Sequence, residues 1–105
     1  MASLIYVKKS SIHGKGLFAR QRIGRREYIG CYRGKVTTRN GRYVLWVLQD
    51  DGSVKGVDGR NSLRYLNHSS RPNAEFWGDM LFAVRVIRPH DEITIDYGPS
   101  WADVE

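Results

Sequence analysis

The stretch Arg64-Tyr65-Leu66-Asn67-His68-Ser69-Ser70-Arg71-Pro72-Asn73, with Asp91-Glu92-Ile93-Thr94-Ile95-Asp96-Tyr97-Gly98 behind it, decides the reading of this chain. Two polar, turn-forming clusters flank an apolar, strand-like run, Met80-Leu81-Phe82-Ala83-Val84-Arg85-Val86. An Asn-His pair and a tyrosine set among apolar residues are costly to bury unless each finds partners. A third element, His13-Gly14-Lys15-Gly16-Leu17-Phe18-Ala19, lies near the N-terminus.

Outward from these elements the local signals are mostly β. Leu4–Val7, Tyr28-Ile29 and Tyr43–Leu48 are β-branched or aromatic runs of strand length. Ile93, Ile95 and Tyr97 alternate with Thr94 and Asp96, the pattern of a half-buried strand. Turn signals stand at Asn40-Gly41, Asp51-Gly52, Asp58-Gly59 and Gly78-Asp79. The first two flank Tyr43–Leu48 and predict hairpins at both its ends. The one helical candidate is short, around Ser62–Leu66.

The 105 residues suit a single domain, 1–105. A hydrophobic content of 41% excludes a disordered chain. No apolar run approaches the ~20 residues that span a bilayer, and the N-terminus lacks a signal-peptide pattern, so a soluble, intracellular chain is expected. Cys31 is the only cysteine, which excludes an internal disulfide and a thiolate zinc cluster. The net charge of +6 is unevenly spread: residues 1–49 hold 11 Lys and Arg against Glu27 alone, while residues 50–105 hold 6 against 10 Asp and Glu. Two surfaces of different sign follow if the halves stay apart in space.

Taken in order, the three elements resemble the signature of SET-domain protein lysine methyltransferases, over about residues 5–98, with 99–105 as a short tail. The resemblance implies a β-clip-like SET fold: mostly β, several small curled sheets, little helix, and a C-terminal pseudoknot. It implies S-adenosylmethionine as methyl donor and a lysine in a basic protein, a histone-like tail or a DNA/RNA-associated protein, as acceptor. Tyr97 then matches the catalytic hydroxyl where lysine channel and cofactor pocket meet, although a strand tyrosine with its hydroxyl at the surface is the ordinary alternative. Gly14, Lys15, Gly16, Arg64, Asn67 and His68 match the cofactor-binding positions, with glycine allowing close backbone approach to the cofactor. Pro72 and Asn73 match structural positions that fix the turn presenting Asn67. Tyr32, in Tyr32-Arg33-Gly34, matches a tyrosine of the substrate channel and of catalysis; a buried sheet tyrosine reads equally well. Phe76 and Ile95 fall where the family sets how many methyl groups are added.

The departures are informative too. Ser70 stands where many members carry a zinc-binding cysteine, and no cysteine-rich segment flanks the domain. The chain is most similar to the minimal, zinc-free, stand-alone type found in some viruses and bacteria. Trp101 in the tail is then the candidate to cover the cofactor site, or a plain core residue. A homodimer would be another way to cover exposed apolar surface. Localisation follows the substrate, cytoplasmic or chromatin-associated, with no membrane partner. Two rival readings stay open. One is an inactive SET-like peptide-binding module. The other is a basic nucleic-acid-binding β-domain using Tyr28, Tyr32, Tyr43 and Trp46, or at least one held near nucleic acid by its basic half.

Overall fold

The computed structural model describes residues 3–97. Gly98 and the tail with Trp101 lie outside the described residues. The order is β1 (Ile5–Lys9), β2 (Lys15–Ala19), β3 (Tyr28–Cys31), β4 (Gly34–Thr37), β5 (Val44–Leu48) and β6 (Val54–Gly59). A single-turn 3₁₀ helix, Ser62–Tyr65, precedes β7 (Asn67–His68), β8 (Ala74–Trp77), β9 (Met80–Ala83) and β10 (Glu92–Ile95). The expectation of a mostly β chain with little helix therefore holds. No helix among the described residues is long and apolar enough to cross a membrane.

Three small sheets make up the fold, ordered β1-β2-β10-β7, β3-β9-β8 and β4-β6-β5. The expected curled sheets are not found: each sheet is an open ladder, neither closed nor strongly curled. Strands of two to six residues account for this, because they are too short to build up the coiling that longer strands accumulate. Of the pseudoknot, the described residues give the strand pairing alone. β10 lies between β2, antiparallel through Ile93 and Leu17, and β7, parallel through Thr94 and Asn67. Flanked on both edges, β10 buries Ile93, Thr94 and Ile95 together, so the alternation expected from the sequence is overridden at Thr94. β2 is likewise interior, and its Leu17-Phe18-Ala19 run is buried without alternation.

The turn signals fared unequally. Gly78, with φ +64°, opens the tight turn between β8 and β9, and Gly52, with φ +88°, lies in the loop joining β5 to β6. Asn40-Gly41 joins β4 to β5, which are not neighbours because β6 runs between them. Neither residue takes the positive φ that a two-residue hairpin needs. Asp58-Gly59 is not a turn but the end of β6.

Gly59 is a glycine for a packing reason. A Cβ there would overlap the ring and hydroxyl of Tyr32, which is only 2% exposed and donates to the Tyr43 carbonyl at 2.5 Å. Gly59→Ala is expected to destabilise the fold by about 2 kcal/mol, through overpacking around a ring with nowhere to go. Denaturant midpoints check this, and a variant as stable as the wild type would show that the ring has room to shift.

The core gathers Leu17, Ala19, Ile23, Leu63, Leu81, Ile87 and Ile93 from all parts of the chain. Ile23 and Ile87 face each other in an isolated bridge. Each is followed by a tight turn containing a left-handed residue, Arg26 or His90, both with φ +69°. This core brings β2, β7 and β10 together, and with them the three elements first read in the sequence.

Candidate active site

Asn67 is the hub. Its side chain is almost fully buried, and its Nδ2 donates to the carbonyls of His13 at 3.0 Å and Lys15 at 3.1 Å and to Glu92 Oε2 at 2.8 Å. The β1–β2 loop is thereby tied to the centre of the sheet. Ser10 closes the loop from the other side, its Oγ donating to Glu92 Oε1 at 2.7 Å and accepting from Ile12 N at 2.9 Å. Asn73 completes the frame. Its amide donates to Glu92 O at 2.8 Å and accepts from Thr94 N at 2.9 Å, substituting for strand pairing along β10. Asn73 was expected to fix the turn that presents Asn67; its side-chain bonds run instead to β10.

Two clefts open around this frame. The larger, about 520 Å³, is lined by His13, Gly14, Lys15, Tyr32, Arg42, Tyr43, Arg64, Tyr65, Leu66, Asn67 and Tyr97. The smaller, about 230 Å³, is lined by Leu45, Pro72, Ala74, Glu75, Phe76, Ile95, Asp96 and Tyr97. Tyr97 borders both. Its backbone N–H donates to His68 Nδ1 at 3.0 Å, and its hydroxyl donates to the Leu66 carbonyl at 2.6 Å. Burial raises the pKa of the Tyr97 phenol, and burial also raises that of Tyr32. The Tyr32 ring stands edge-on to Phe76, centroids 5.6 Å apart, where the two clefts approach.

The clefts differ in charge. Lys15, Arg42 and Arg64 line the larger without any Asp or Glu among its lining residues, whereas Glu75 and Asp96 line the smaller. The cations alternate with rings: Lys15 over Tyr65 at 5.6 Å, Arg64 over Tyr65 at 4.9 Å and over Tyr43 at 5.3 Å. The Arg64 guanidinium donates to the Tyr65 hydroxyl at 2.7 Å, a bond that lowers the tyrosine's pKa. Strands of both halves share sheets, yet of these charges only Arg64 departs from the sign of its half.

The expected site residues therefore converge unequally. Gly14, Lys15, Arg64, Asn67, Tyr32 and Tyr97 meet in the larger cleft, and Phe76, Ile95 and Tyr97 in the smaller. His68 places its exposed side chain beside Tyr97 and 3.7 Å from Asp96, outside the lining of either cleft. Gly16 does not line the cleft; a Cβ there would strike the Glu92 carboxylate and Ser10, so the close approach it permits is to protein atoms. Glu92, Arg42 and Tyr65 were not singled out from sequence, and Tyr43 was named only as a stacking residue of the nucleic-acid reading. Glu92 sits inside the second quoted run, where only the side chain's bonds distinguish it from an ordinary surface acid.

The SET domain family pattern matches residues 14–98. The chain belongs to the SET-domain family. It is 33% identical to the histone-lysine N-methyltransferase MEDEA of Arabidopsis thaliana over an alignment covering 94% of this chain and 18% of that protein. It is 37% identical to the histone-lysine N-methyltransferase Set2 of Drosophila melanogaster, over 56% of this chain and 3% of that protein. The chain thus spans only a small part of the relatives it matches. Its fold matches the methyltransferase domain of human SETMAR with a TM-score of 0.79 and 23% identity, over 98% of this chain and 47% of that one. At that identity the likeness speaks to the fold alone.

Proposed function

We propose that this SET domain methylates a lysine side chain of a protein, with the donor in the larger cleft, the lysine in the smaller, and Tyr97 between them. The observation that carries this reading is that one half-buried tyrosine, Tyr97, borders both clefts. S-adenosylmethionine, bound in the larger cleft, supplies the methyl group. The residues suit it: Gly14, with φ +45°, has no protein atom within 4 Å of where a Cβ would sit, leaving room for a ligand against the backbone. Lys15 and Arg64 would offer cations to a carboxylate, and Tyr43 and Tyr65 would offer aromatic faces. Asn67 would hold the His13–Lys15 wall in place, and His68 would brace Tyr97 through its backbone N–H.

The smaller cleft has the right character for the acceptor. A lysine must be neutral to react, and at neutral pH losing its proton costs about 4–5 kcal/mol. Leu45, Phe76, Ile95 and Tyr97 would desolvate the ammonium and lower that cost, while Tyr32 and Phe76 would confine the stem. Glu75 and Asp96 at the same cleft would favour a substrate segment rich in Lys and Arg, such as a histone-like tail.

We further propose that the domain works without zinc. Cys31 is the only cysteine, and no group of three or more His, Cys, Asp or Glu among the described residues is placed to hold a metal. The test is to incubate the protein with labelled S-adenosylmethionine and basic proteins, with and without a strong chelator, and to read products by mass spectrometry. Methyl-lysine formed equally in both is expected. Label on no lysine would overturn the assignment, and loss of activity with the chelator would overturn the zinc-free reading alone.

A further inference from the structure

The outer face of the β3-β9-β8 sheet is aromatic and uncovered. Tyr28 and Trp77 are 47% and 61% exposed. The Phe82 ring lies between them, 5.7 Å from Tyr28 and 5.3 Å from Trp77, so three rings form a row across three strands. Trp77 Nε1 donates to Glu75 Oε1 at 2.7 Å, which fixes the indole and engages the carboxylate beside it. A groove of about 510 Å³ runs along this row, bordered by Arg25, Arg26, Val84 and Glu75, the last with its Oε1 bonded to the indole.

The two arginines are presented by a built turn. Glu27 N donates to Gly24 O at 3.0 Å, and Gly24 N donates to Glu27 Oε1 at 2.9 Å. Arg26 N donates to Ala83 O at 2.8 Å, and Ala83 N donates to Glu27 O at 3.0 Å, fastening the turn beside the rings. Arg26 has φ +69°, a conformation that glycine or asparagine takes more readily. Strain retained at an exposed arginine fits a side chain kept for contact. Among the described residues, neither Arg25 nor Arg26 makes a salt bridge.

We propose that this face docks single-stranded RNA, with bases stacked on Trp77 and its neighbouring rings and phosphates held by Arg25 and Arg26. Stacking surfaces beside unpaired cations are the two components of strand binding without sequence preference, and the net charge of +6 favours a polyanion. Unpaired, splayed bases are the ordinary target of such platforms in RNA. A second copy fits less well, since a two-fold axis through the patch would bring the arginines of both copies together. The groove meets the smaller cleft only at Glu75, which borders both; Trp77, Arg25 and Arg26 line neither cleft, so oligo(U) binding can be read apart from methyl transfer.

Fluorescence anisotropy with a labelled oligo(U) strand tests it on the full chain. Trp77→Ala is expected to weaken binding by about tenfold. Arg25→Ala combined with Arg26→Gly is expected to weaken it and to flatten the dependence of log K on log salt by about 1.4, for two lost phosphate contacts. Glycine at position 26 suits the left-handed backbone, so this variant should melt near the wild type and keep the result readable. Unchanged affinity in both variants would overturn the proposal. So would tighter binding of duplex DNA or of an acidic peptide than of oligo(U), or a sedimenting dimer dissolved by Trp77→Ala.

Discussion

Replacing Tyr97 by phenylalanine is expected to lower turnover by roughly 10²- to 10³-fold while leaving cofactor affinity within a few-fold. The hydroxyl proton is directed to the Leu66 carbonyl at 2.6 Å, so toward a reacting amine the oxygen acts as acceptor. An acceptor at the junction of the two clefts can turn an amine N–H aside and aim the lone pair at the methyl group, which matters most in the transition state. Burial raises the phenol's pKa above its ordinary value near 10, so it stays neutral across the physiological range and acts by hydrogen bonding rather than as a base. The sign of the linkage agrees. Burial favours the neutral phenol, so its contribution to stability is complete below the unfolded pKa and is lost only as pH rises through the folded one. A rise in rate between about pH 7 and 9 is then expected to come from the substrate lysine. Single-turnover rates across that range should show the same limb in both proteins, at lower amplitude in Tyr97→Phe. Near-normal turnover would remove Tyr97 from the mechanism, and a displaced limb would give it an ionising role.

What could be read from the sequence was what short range and the family pattern specify. Asn67, Tyr97 and the Gly14-Lys15-Gly16 run announce themselves as polar or flexible residues in apolar settings, and the fold does bring their elements together. Glu92 could not be found this way. Its importance lies in meeting Ser10, Gly16 and Asn67, contacts that depend on β10 pairing beside β2, more than 70 positions away in sequence. Arg42 is equally hidden, and Tyr43 was visible only as an exposed-stacking candidate, because nothing local says that the residues before β5 border the larger cleft. Gly59 misled for the opposite reason: an Asp-Gly dipeptide favours a turn, but the Tyr32 ring needs that glycine at a strand end. Sheet shape was borrowed from the family, whereas strand length decides how far a sheet can coil.

Asn67→Ala should destabilise the fold by about 2 kcal/mol and weaken cofactor binding by roughly tenfold or more, because one truncation removes the donor from several partly buried acceptors. The two amide hydrogens serve the His13 and Lys15 carbonyls and Glu92 Oε2, one of them shared. Without them the wall of the larger cleft loses its anchor on β7 and is left with the bonds of Ser10 to Glu92 and to the loop itself, and with the contact between Arg42 and His13. Asn67→Asp is the sharper test, since it preserves shape and reverses function. It places an oxygen where a donor stood, within hydrogen-bond range of a carboxylate and two carbonyl oxygens. At pH 7.5 Asn67→Asp should be less stable than Asn67→Ala despite the better fit. The introduced carboxyl would hold its proton to higher pH in the folded chain than in the unfolded one, because the protonated form can donate. A raised folded pKa stabilises below the unfolded value and is lost as pH rises, so the Asn67→Asp deficit should shrink between pH 7.5 and pH 5. The Asn67→Ala deficit should change far less over the same interval. Denaturant midpoints at the two pH values measure both. Should Asn67→Asp match the wild type at pH 7.5, the amide would not be the donor that ties the loop to Glu92, and the frame drawn here around Asn67 would have to be rebuilt.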